Sequence, residues 1–79
     1  MVESNNLIVF PLSPNVTNDH LIEIFSNYGT ILNATITNET QNGGFKAIVT
    51  FSDKHQAEEA RNALHHGYID GNVVKVRYQ

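Results

Sequence analysis

The sequence predicts a two-layer α+β sandwich with the element order β-α-β-β-α-β. Three observations carry this. Four short runs are rich in β-branched and apolar residues, two longer segments repeat apolar residues every three or four positions, and Pro, Gly, Asn and Asp punctuate the intervals. At 79 residues the chain makes one small domain around a single core.

The polar segment 1–6 does not read as a signal peptide and is expected to be a flexible lead into a domain spanning 7–79. Leu7–Phe10 is an apolar run closed by Pro11, with Pro14 soon after: a strand ended by a turn. Thr17 supplies an N-cap hydroxyl, and Val16 and Leu21 stand at the spacing of a hydrophobic staple. The helix is expected to run to about Tyr28, with Leu21, Ile24, Phe25 and Tyr28 on one face and Gly29 ending it in a left-handed conformation.

Ile31 to Thr37 reads as a second strand, and Asn38 to Gly44 as a hairpin loop. Phe45 to Phe51 alternates cleanly, with Ala47, Val49 and Phe51 on one face and Lys46, Ile48 and Thr50 on the other. Asp53 caps a second helix, from about Lys54 to His65, whose inward face is Ala57, Ala60, Ala63 and Leu64. Gly67 is expected to end it, and Asp70-Gly71 to make a turn. Val73 to Tyr78 is the last strand, with Val74 and Val76 inward and Lys75 and Arg77 outward. Two helices then cover one side of a four-stranded antiparallel sheet. The other side is left open, and function is expected there or on the outward sides of the helices.

Composition excludes several chemistries. With no cysteine there is no disulfide, thiolate zinc site or thiol nucleophile. No apolar run approaches the roughly 18 residues of a membrane span, so no membrane partner is expected. Four histidines are present, but His65 and His66 are adjacent and face different ways, and none shows metal-ligand spacing. Gly43-Gly44 sits in a hairpin rather than before a helix, so it is no phosphate cradle. Neither catalysis nor a cofactor is expected. Three Asn-X-Thr triplets, at Asn15, Asn33 and Asn38, are read as asparagine-rich composition rather than glycan acceptors. Five basic against eight acidic residues give a net charge of −3, which argues against a grip on nucleic acid by bulk electrostatics.

The order, length and residue pattern resemble the RNA recognition motif (RRM) family. The resemblance rests on Leu21-x-x-x-Phe25-x-x-Tyr28-Gly29-x-Ile31, Ala57-x-x-Ala60-x-x-x-Leu64, Ile69-x-Gly71 and Val74-x-Val76. It implies a ferredoxin-like β-α-β-β-α-β sandwich. Small hydrolases share that fold, but they hold phosphate with an arginine in the first loop, and Pro11 to Thr17 contains none. Within the family, Asn15–Gly29 is similar to the RRM of a serine-rich-domain RNA-binding protein of the splicing and exon-junction machinery. That likeness implies a nuclear protein of mRNA processing, with single-stranded RNA and the protein partners of a processing complex as ligands.

RRMs stack bases on aromatics of two short strands. Here those positions hold Ile8 in the first strand and Lys46 and Ile48 in the third. Each base stacked on a ring is worth roughly 1–3 kcal/mol, so the substitution implies weak binding. Two readings of Phe10 stand: a displaced stacking ring, or a strand-end residue packed under a terminal segment. Resolved by face, the charge separates. Lys46, Lys75 and Arg77 fall on the open side, on the third and last strands, which the family pattern is taken to place side by side. Two basic residues and all eight acids lie elsewhere. Local fields rather than net charge decide what a surface attracts.

The expected RNA contacts are therefore Ile8, Phe10, Lys46, Ile48, Lys75 and Arg77. The alternative is a protein-interaction domain that docks a partner peptide on its helical face, around Ile22, Glu23 and Glu58. Ile22 falls off the Leu21–Phe25 stripe and stands among acids.

Overall fold

The computed structural model describes residues 4–39, 44–69 and 71–79. Strands β1 (Asn6–Leu12), β2 (Ile31–Glu39), β3 (Gly44–Phe51) and β6 (Lys75–Tyr78) form one antiparallel sheet in the order β2-β3-β1-β6. Helices α1 (Asn18–Phe25) and α2 (Lys54–Leu64) supply the second layer, and β4 (Tyr68–Ile69) pairs with β5 (Asn72–Val73) as a separate ribbon.

Alternation along each strand decides which residues meet the helices. Leu7 and Val9, Ala47, Val49 and Phe51, and Val74 and Val76 are wholly buried, together with Leu21 and Phe25 of α1 and Ala57 and Ala60 of α2. Phe25 meets Phe51 edge-on, with ring centroids 6.2 Å apart and planes at 70°, an arrangement aromatic pairs favour. Full burial of each phenyl ring is worth about 1.5–3 kcal/mol. Both N-caps form as expected. Thr17 Oγ1 accepts from His20 N–H at 3.2 Å and Asp53 Oδ1 from Gln56 N–H at 2.9 Å.

Several element ends differ from expectation. Helix α1 stops at Phe25, because Ser26 takes over the capping: its N–H donates to Ile22 O and its hydroxyl to Glu23 O. Tyr28 still packs against the core from the following turn. Gly29 is not left-handed. Its small size serves a close approach instead, since a Cβ there would lie 2.5 Å from the Gln56 side chain. Gln56 Oε1 accepts from Thr30 N–H at 3.0 Å and from the Ser52 hydroxyl at 2.8 Å.

The second strand continues through Asn38 and Glu39, which pair with Phe45 and Gly44, so the expected hairpin loop is shorter. Its residues 40–43 lie outside the described ones. In α2, Ala63 is exposed rather than inward, while Leu64 packs on the core. Each three-residue step falls short of a full turn by about 60°, so the Ala57-Ala60-Ala63 series walks off the buried face and the i+4 residue replaces it. After α2 the left-handed residue is His66 (φ 68°), not Gly67; histidine is among the side chains enriched there. Its N–H donates to Val74 O at 2.7 Å, and Val74 N–H to Gly67 O at 2.8 Å.

Val73 belongs to the β4–β5 ribbon instead of the last strand. Gly71 (φ 82°) turns that ribbon, and Asp70 lies outside the described residues. At the N-terminus, β1 begins at Asn6, one residue earlier than expected. Asn5 is also tied in: its O accepts from Phe51 N–H at 2.8 Å and its Nδ2–H donates to Phe51 O at 2.7 Å. The flexible lead expected over 1–6 is thus held at its end nearest the sheet, and residues 1–3 lie outside the described ones. Among the described residues, no helix is long and apolar enough to cross a membrane.

Candidate nucleic-acid interface

The face of the sheet away from the helices is centred on β1. Ile8 stands opposite Ile48 of β3 on one side and Arg77 of β6 on the other. The strands carrying the basic residues are therefore not neighbours, as the sequence reading had them. β1 runs between β3 and β6, and the cations flank it. Ile8 and Ile48 are half-buried and make an apolar floor. Beyond them, β2 adds Thr35 beside Ile48 and Thr37 beside Lys46, both exposed. The sequence reading left out this polar margin, although the Thr35/Thr37 alternation was there to signal it.

The regular ladder breaks at the far end of β1. Between Val9 and Leu12, β1 takes one more residue than β3 takes between Ala47 and Phe45. Lys46 therefore faces both Phe10 and Pro11. A bulge of this kind bends a strand and re-aims its side chains, and it is one of the few places where a central strand tolerates proline. On the other side Phe10 pairs with Lys75, and the Arg77 guanidinium carbon lies 5.4 Å from the centroid of the Phe10 ring. That is within the range of a cation–π contact. Phe10 is half-buried on the open face. At the opposite end, the Thr50 hydroxyl donates to Asn6 Oδ1 at 2.7 Å.

All six candidate RNA contacts thus share one face. Lys46, Lys75 and Arg77 bring three of the chain's five basic residues to it. The acids whose side chains are described all lie on the helices or at a helix cap: Asp19, Glu23, Asp53, Glu58 and Glu59. The site is a small apolar strip with a cationic rim, suited to a flexible polyanion that carries flat apolar groups.

The β6 side of the sheet carries an imidazole. Val76 N–H donates to His65 Nδ1 at 3.0 Å, which requires that nitrogen to be unprotonated. The His66 ring stacks on it, with centroids 3.9 Å apart and planes at 28°, so the two rings do not face different ways as the sequence suggests. Desolvation lowers the His65 pKa below its ordinary value, and the positive charges of His66, Arg61, Lys75 and Arg77 add to the effect. Arg61 itself reaches over the Tyr78 ring at 6.0 Å.

The candidate peptide-binding residues are spread over two helices. Ile22 is 41% exposed on α1 beside exposed Glu23. Glu58 lies on α2, where its carboxylate is 3.9 Å from His55 Nδ1. Elsewhere, Tyr68 (75% exposed) pairs directly with exposed Val73 on the β4–β5 ribbon, an apolar pair to which the sequence reading gave no role.

Comparison with known proteins is consistent with this geometry. The chain is 36% identical over 78 residues to polyadenylate-binding protein RBP45B of Arabidopsis thaliana, covering 96% of this chain and 18% of that protein. It is 33% identical over 76 residues to flowering time control protein FPA of the same plant, covering 96% of this chain and 8% of that one. The chain therefore spans less than a fifth of the length of either relative. Among solved structures, an Sxl-lethal protein/RNA complex superposes with a TM-score of 0.84 at 25% identity, covering 96% of this chain and 47% of that one. The model of the RNA recognition motif matches residues 7–75. With the four-stranded antiparallel sheet and its two helices already established, the chain belongs to the RNA recognition motif family.

Proposed function

We propose that this domain binds single-stranded RNA weakly and without catalysis, across the open sheet face formed by Ile8, Phe10, Lys46, Ile48, Lys75 and Arg77. The observation that carries the reading is the convergence of three cations around β1, while the acids whose side chains are described all lie on the helices or at a helix cap. The matched Sxl-lethal protein is in complex with RNA, and RBP45B is named for binding polyadenylate. Aliphatic residues at the usual stacking positions support low affinity, and the few phosphate contacts available support binding that is weak and sensitive to salt. The likeness of Asn15–Gly29 to an RRM of the splicing machinery favours a nuclear protein of mRNA processing, with other proteins of a processing complex as partners.

An NMR titration with short single-stranded RNA tests this. Amide shifts at Ile8, Lys46 and Ile48 that fade in high salt are expected. No shift at millimolar RNA sinks the reading.

A second reading rests on Ile22, which is 41% exposed beside Glu23 and near the first-turn Asp19 of α1. An apolar side chain ringed by acids suits a peptide that presents a basic residue next to an apolar one. Ile22→Glu then abolishes pulldown of such a partner without unfolding the domain, and retained pulldown rules out that surface.

A further inference from the structure

We infer that the bulged end of β1 is a single-nucleotide subsite, in which one base stacks on the Phe10–Arg77 pair while its flanking phosphates meet Lys46 and Lys75. The inference rests on the reading that the open face binds RNA, and it assigns the base-stacking role within that face. A chain with isoleucines at two of the usual stacking positions and lysine at the third has no flat platforms there. The bulge supplies one elsewhere.

Phe10 is the only ring on the described part of β1, and the register gathers charge around it. Lys46 faces the bulge from β3, Lys75 pairs with Phe10 from β6, and Arg77 extends its guanidinium over the ring at 5.4 Å. Bases stack on aromatic rings and on guanidinium planes alike. A guanidinium resting on a ring offers both in one place, with the positive charge that a neighbouring phosphate seeks. Lys46 and Lys75 lie on strands either side of β1, so their backbones are about 10 Å apart, two inter-strand spacings. That leaves room for one nucleotide between two lysine side chains. The regular part of the face, Ile8 and Ile48, then serves as apolar floor for the adjoining base without ordering it.

The test compares short oligouridylate and oligoadenylate with an abasic RNA of the same length, followed by NMR. Phe10 ring protons are expected to move upfield with the base-bearing RNAs and to stay in place with the abasic one. Phe10→Ala should weaken binding roughly five- to a hundred-fold, the range set by removing one stacking platform, while Phe10→Trp keeps or improves affinity. Ile48→Ala should cost less than Phe10→Ala. Arg77→Lys keeps the charge and loses the plane, so affinity falls several-fold with an unchanged salt slope.

If the parent domain shows salt-sensitive shifts at Ile48 and Lys46 yet Phe10→Ala binds within twofold of it, the subsite is overturned and the RNA-binding face stands. Equal weakening by Phe10→Ala and Phe10→Trp also overturns it, since a ring was not what mattered. No shift in the parent at millimolar RNA removes both the subsite and the face.

Discussion

The sheet face and the helical layer divide the chain's charge between them. Three cations stand on the sheet face, whereas the five acids whose side chains are described all lie on the helices and their caps, with only Lys54 and Arg61 beside them. A net charge of −3 is thus the sum of two surfaces of opposite character. The difference teaches that a small acidic domain can present a local field attractive to a polyanion, and that its sequence pI says little about which face a ligand meets.

The two surfaces share one core, and the largest effect comes from breaking it. Phe25 of α1 packs against Phe51 of β3 and both are wholly buried. Phe25→Ala is expected to cost about 3–5 kcal/mol, a large part of the 5–15 kcal/mol typical of a whole domain. Urea denaturation reads it directly. A loss below ~1 kcal/mol means the layers do not depend on this packing.

Charge reversal separates the faces without touching the core. Lys46→Glu with Lys75→Glu should remove RNA binding, since each lysine's hydrogen bond to a phosphate is worth about 1.5–3 kcal/mol. Glu23→Lys with Glu58→Lys changes total charge by the same amount in the opposite sense, but should alter affinity little. Fluorescence anisotropy with labelled RNA measures both. Equal and opposite responses would show that net charge governs binding, and the contrast between faces would have no functional meaning.

Much of this contrast was legible in the sequence, because strand alternation puts Lys46 and Ile48, and Lys75 and Arg77, on one face whatever the sheet order. Sheet order was not legible. It is a long-range property, and only the structure puts β1 between the two basic strands. The Phe10 environment was hidden for the same reason: a bulge is a mismatch between two strands, and neither strand shows it alone. Glycines misled at helix ends. Gly29 was read as a left-handed cap and Gly67 as the end of α2, whereas Gly29 makes room for Gln56 and His66 takes the left-handed position beside Gly67.

Gly29 gives the next largest expected effect, at the junction of the first turn and α2. Gly29→Ala forces Gln56 aside and breaks its bonds to Thr30 N–H and the Ser52 hydroxyl, for a loss of about 1–3 kcal/mol. In a Gln56→Gly background the same substitution should cost much less, because the side-chain atoms nearest the added methyl, the Gln56 Cβ at 2.6 Å among them, are gone. A double-mutant cycle in urea checks this. Additive losses would point to backbone conformation as the reason for glycine and against close approach.

The smallest effect belongs to His65, which sits where the two charged surfaces meet. Its Nδ1 accepts from Val76 N–H on β6, and Arg61, Lys75, Arg77 and His66 all oppose its protonation. The folded imidazole therefore binds its proton less tightly than the unfolded one, whose pKa is about 6.5. Above that value both forms are neutral and pH has no leverage through this group. As pH falls through 6.5 the unfolded chain takes up the proton first, so stability declines until the folded imidazole is protonated as well. Replacing it tests the point, since in His65→Gln an amide oxygen can accept from Val76 N–H at any pH. The variant should lose less stability than the parent between neutral pH and pH 5, measured by thermal or urea unfolding. Superimposable pH profiles would mean that the β6 edge does not depend on a neutral His65, and that the meeting point of the two surfaces is not sensitive to pH.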